Sequence, residues 1–142
     1  MNTTIRVAII LALALFSAYA QAAACSPEES HLARLAGTWQ VIGRIGDEQV
    51  CYAATATYSA ARKFLRFDLG EAPRASPALT WIVGFDAHRD AFVCFEIDAD
   101  SRTRGPFVTT FADARDGGFT VEMRRARDSD ETAAQVSLRR VA

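Results

Sequence analysis

The chain has 142 residues, half of them hydrophobic, and is close to charge balance with 16 basic and 17 acidic residues. That length allows one domain with a sizeable core, and the lack of a basic excess excludes the electrostatic footprint of a nucleic-acid binder. All but one of the basic residues are arginine, Lys63 being the exception, which reads as coding bias and not as a functional signal.

Residues 1–24, MNTTIRVAIILALALFSAYAQAAA, place Arg6 before an apolar run from Val7 to Phe16, with small residues after it. This is the order of a secretory signal peptide, and the run is shorter than a membrane span requires. Cleavage fits after Ala20, after Ala22, or after Ala24. The last would leave Cys25 at the end of a weak lipobox, AAAC, as a candidate for lipidation. Removing the segment takes only Arg6 from the charge balance. The domain is then expected over residues 25–142, in the periplasm or secreted, and anchored at the outer membrane if Cys25 is lipidated. Cys25, Cys51 and Cys94 follow the leader. In an oxidising compartment two of them are expected to pair. Cys51–Cys94 is the one pair left if Cys25 carries lipid, and otherwise three pairings are open.

Next in the chain, SPEESHLARLAG predicts a short helix. Ser26 is its N-cap, Pro27 its first residue, and Glu29, three residues after Ser26, completes a capping box. Leu32, Leu35 and Ala36 form its apolar stripe. Gly37 is expected to stop it, and His31 to lie on its surface.

From Gly37 the apolar period changes to two. Strands are predicted over 38–44, 50–60, 63–69, 79–85, 91–97, 107–112, 119–126 and 134–140, separated by turns such as GD, DAHRD, RDGG and RDSDE. The inward sets include Trp39 and Val41, Tyr58, Trp81 with Phe85, then Val93, Phe95 and Ile97, then Phe107 with Phe111, and Met123. Eight sequential strands without an intervening helix predict an all-β fold, an eight-stranded antiparallel up-and-down barrel preceded by a short helix. A single bulge would exchange the lining and the exterior of any strand.

A short helix followed by G-x-W on the first strand, LAGTWQVIG, resembles the lipocalin-like (calycin) superfamily. With FLRF and GFD…FVCFEID later, the order is similar to bacterial lipocalin-like families that open on GTW and carry a G-[YF]-D turn, here Gly84-Phe85-Asp86. The resemblance implies that Trp39 closes one end of the barrel against a basic residue of the last strand, Arg139 or Arg140. Alternation with Val136 and Leu138 favours Arg140. Gly37, Trp39 and Arg140 are therefore expected to form a closure, not a binding site. Heme-binding members use a histidine late in the barrel, and no histidine follows His88 here.

Other motifs are weak. His88 has Asp86 and Asp90 beside it, but a tight turn gives no convergent metal site. Asp98 and Asp100 begin a calcium-like loop that fails at Arg102 and Thr109. Asp68 and Glu96 are the strand carboxylates that face either a lumen or solvent. No nucleophile elbow or phosphate loop is present, so neither an enzyme nor a cofactor or metal is expected.

Three functions remain open. The first is an exported barrel that binds a small apolar or amphipathic molecule, lined by Tyr58, Trp81, Phe85, Phe95, Phe107, Phe111 and Met123 at the end away from Trp39. The second is a barrel that binds an envelope protein. The chain resembles secreted metalloprotease-inhibitor barrels in its LAGTW…C order, though not in cysteine spacing. The third is a ligand-free envelope lipoprotein.

Overall fold

The computed structural model describes residues 26–71 and 76–141. The expected leader and Cys25 lie outside the described residues. Helix α1 (Pro27–Arg34) precedes eight strands: β1 (Gly37–Ile45), β2 (Glu48–Ser59), β3 (Phe64–Gly70), β4 (Leu79–Asp86), β5 (Ala91–Asp98), β6 (Thr103–Asp113), β7 (Phe119–Arg125) and β8 (Asp128–Arg140). Each strand pairs antiparallel with the next, and β8 pairs back onto β1 to close the barrel. Closure leaves no unpaired edge among these strands.

The start of α1 follows from its sequence. Ser26 is extended, and its hydroxyl accepts the Glu29 N–H at 3.2 Å, satisfying one of the donors a helix start leaves free. The Glu29 carboxylate reaches Lys63 in the β2–β3 turn at 2.9 Å. The helix ends earlier than Gly37. Leu35 is its C-cap, with Leu35 N–H bonded to the Leu32 carbonyl at 3.1 Å. Gly37 instead opens β1 at φ +136°, where a Cβ would lie 2.7 Å from Arg140 Nη1. The backbone angle favours glycine, and a Cβ would in addition push the Arg140 guanidinium aside.

Alternation within the strands separates wall from interior. Trp39, Val41, Leu65, Phe67, Leu69, Val83, Val121 and Leu138 are fully buried and fill the middle of the barrel. Each such side chain contributes about 1.5–3 kcal/mol relative to exposure. Strand β5 departs from the expected parity. Its register sets Phe92 opposite Phe85, Cys94 opposite Val83, and Glu96 opposite Trp81. Cross-strand partners share a face, so Phe92, Cys94 and Glu96 point inward. Phe95 points out and is 40% exposed.

Two strands start at least four residues earlier than predicted. β8 begins at Asp128, so the β7–β8 turn is only Ala126–Arg127 and most of RDSDE belongs to the strand. β6 begins at Thr103 and runs through Gly105-Pro106, a cis peptide. There Cys94 pairs with Phe107 but Glu96 pairs with Arg104. Phe95 therefore stands opposite two residues, the mark of a β-bulge. Gly105 has φ +121°, and a Cβ on it would meet the Cys94 carbonyl at 2.8 Å. The extra residue inverts the alternation of β6, bringing Arg104 to the inward partner position of Glu96.

Candidate functional site

The two ends of the barrel differ. At the helix end, the Arg140 guanidinium carbon lies 4.3 Å from the centroid of the Trp39 ring. The same guanidinium donates to the Arg34 carbonyl at 3.2 Å and the Ala36 carbonyl at 3.4 Å. The Trp39 indole N–H donates to the Leu35 carbonyl at 2.8 Å. Three carbonyls that a helix terminus leaves without partners are thus satisfied by the barrel. Arg139 faces outward and lies 3.8 Å from Asp116.

His31 belongs to this closure and is half-buried, contrary to its expected surface position. Its ring stacks on Phe92 with centroids 5.4 Å apart and also meets Phe111 and Phe119 at 5.8 and 6.2 Å. Burial lowers its pKa, the nearby Arg34 charge lowers it further, and Asp113 opposes both. Phe85 packs edge-on against Phe92 at 5.4 Å. Phe85 and Phe111 are therefore committed to the aromatic packing below the helix and do not line an open site. Tyr58 is partly buried against the core. From its place near the end of β2, opposite Leu65, it also belongs to the helix end.

The other end opens into a cup of about 910 Å³, within the size range of small-molecule sites. Ile45, Val50, Tyr52, Leu79, Phe107 and Met123 supply its apolar lining. Two of these, Phe107 and Met123, are among the expected lining residues. Trp81 is packed in the barrel core, 1% exposed, and does not line the cup; its indole N–H donates to Glu96 Oε2 at 3.0 Å. Glu96 Oε1 is paired with Arg104 Nη2 at 2.6 Å. Phe95, expected in the lining, is outside the barrel because of the β5 register. Asp68 also faces outward, accepting from Arg66 at 2.9 Å and Thr80 at 3.0 Å.

Cys51 and Cys94 are both free. Cys51 is exposed on the outer face of β2, where Gln40 Nε2 lies 3.9 Å from its sulfur. Cys94 is in the interior on β5, its thiol pushed far above the ordinary range by burial and by the Glu96 charge. Opposite faces of non-adjacent strands separate the expected disulfide partners.

The turn motifs are structural. Asp86 Oδ1 accepts the N–H groups of His88 at 2.9 Å and Arg89 at 3.3 Å, while Oδ2 pairs with Arg89 Nη1 at 2.7 Å. The Arg89 side chain holds the Asp86 carboxyl below its ordinary value. Asp98 Oδ1 is likewise occupied by the N–H groups of Asp100 and Arg102, both at 2.9 Å. Among the described residues no cluster of histidine, cysteine or carboxylate side chains is arranged to hold a metal ion, and no helix is long and apolar enough to cross a membrane.

No family model, curated protein or solved structure matches the chain. What stands is the class of architecture: a closed eight-stranded up-and-down barrel, plugged by a helix at one end and open at the other.

Proposed function

We propose that this chain is an exported, lipocalin-like binding protein that takes a small apolar or amphipathic molecule into the cup at its open end. The observation that carries this reading is the cup itself, where apolar side chains such as Leu79, Phe107 and Met123 share the lining with charged ones, among them the buried carboxylate of Glu96. Small-molecule sites combine apolar surface with placed polar groups, and a lining that holds both kinds suits an amphipathic molecule. The lipocalin-like assignment rests on the order helix, G-x-W and closing arginine, with Trp39 beneath Arg140. Export rests on the charged, apolar and small-residue segments of residues 1–24.

Titration with Nile red, a neutral dye that brightens in apolar surroundings, tests the reading. Saturable binding of one dye per chain is expected. Val50 is half-buried at the mouth, and Val50→Trp should block entry without disturbing the filled middle. Absence of saturable binding, or binding unchanged in V50W, overturns the proposal.

A further inference from the structure

The geometry points to an amphipathic organic cation, an amine or guanidine on an apolar body, as the ligand class of the cup, with Glu96 as its anchor. This rests on the reading of the cup as a binding site and adds the chemistry of what enters it.

Glu96 is the one charged side chain among the described residues that is buried, at 4% exposure. Its two partners differ in kind. Trp81 is 1% exposed and wedged edge-on against Phe67, with centroids 6.1 Å apart, so its bond to Oε2 is fixed by the core. Arg104 reaches Oε1 from the bulged strand, and its side chain is 60% exposed. One side of the carboxylate is therefore permanently held, and the other is held by a group that can return to water.

A buried carboxylate is costly to leave unpaired, whereas an exposed guanidinium loses little on release. An incoming ammonium can replace Arg104 on Oε1, charge for charge, while Trp81 keeps Oε2. Tyr52 and Phe107 line the cup, and aromatic rings attract a cationic head through their electron-rich surfaces. Met123, Leu79 and Ile45 take the apolar body. An anion meets the opposite situation. To use Arg104 it must draw that group away and strand Glu96 in the low-dielectric cup. The charged lining leans the same way, with carboxylates at Asp47, Glu48, Glu96 and Glu131 against guanidiniums at Arg44, Arg104 and Arg125.

The test uses octylamine, octanol and octanoate, three ligands with one apolar body, in calorimetric titration and Nile red displacement. Octylamine should bind about tenfold more tightly than octanol, and octanoate more weakly than either. Glu96→Gln keeps an acceptor for Trp81 and should abolish the preference for the amine while octanol binding persists, which also reports an intact cup. Arg104→Gln should strengthen octylamine binding by removing the competitor. Equal affinity for amine and alcohol, a preference for octanoate, or an amine preference retained in E96Q overturns the cation assignment but leaves the cup as a binding site. Failure of Nile red and all three octyl ligands to bind overturns both.

Discussion

Arg140 and Trp39 face each other as cross-strand neighbours of β8 and β1, and the guanidinium that covers the indole also donates to the carbonyls of Arg34, which ends α1, and of Ala36 just beyond it. One side chain therefore joins the first strand, the last strand and the helix. Arg140→Ala should lower stability by about 1–2 kcal/mol, the sum of a partly exposed cation–π contact and two hydrogen bonds. Lysine cannot reproduce the planar fork, so R140K should restore less than half of the loss. Urea unfolding of the three proteins measures this, and an unchanged midpoint in R140A would refute it.

Gly37→Ala should destabilise by about 1–3 kcal/mol, because its φ of +136° disfavours a side chain and the new Cβ would meet Arg140 Nη1. Part of that cost comes from displacing Arg140. The double variant with R140A should therefore lose less than the sum of the single losses. Strict additivity would show that the backbone angle alone is responsible.

The lowered pKa of His31 has a defined sign. Its proton is bound more weakly in the folded state than at the ordinary value of 6.5, so acid favours unfolding. The contribution is fully present above 6.5 and is lost as pH falls through the depressed folded value. Stability should decline as pH falls below 6.5, and His31→Phe should flatten that decline while retaining the ring contacts. A parallel decline in H31F would assign the effect elsewhere.

The inward and outward faces of β5 predict contrasting mutants. Phe95→Ser should change stability by no more than about 0.5 kcal/mol, as for most surface positions. Trp81→Phe should cost about 1–3 kcal/mol, since it leaves the buried Glu96 oxygen without its indole donor. Thermal unfolding of both variants decides the parity. A reversed ranking would mean that Phe95 is the interior residue.

The two thiols should react on separate timescales. Exposed Cys51 should be alkylated by iodoacetamide in the native protein, and Cys94 only after unfolding, since burial both shields it and disfavours its thiolate. Peptide mapping after brief native labelling distinguishes them, and early modification of Cys94 would contradict its interior position.

The number and order of the strands were legible because most of them alternate an apolar face with a polar or small-residue face. On β5 both faces carry apolar residues, and the face that turns inward is the one holding Glu96, so alternation marks a strand without saying which side is inside. The pairing of Cys94 with Val83 supplies that sign, and it depends on a neighbouring strand. The cup was less legible still. Arg104 reaches Glu96 only because β6 carries an extra residue, and the local signal was a Gly-Pro pair within a strand. His31 could have been placed better, since it lies four residues before Leu35 and so shares its helical face.

The seam between β1 and β8 joins residues far apart in the chain, from Trp39 with Arg140 to Ile45 with Ala134, whereas every other pairing is a neighbouring hairpin. Loop-closure entropy makes such a contact a late event in folding. Until it forms, α1 has no Arg140 to hold its carbonyls, and β1 and β8 are two open edges able to pair with other chains. The Trp39–Arg140 stack thus marks the seam at which a sheet with two free edges becomes a continuous wall around a cup.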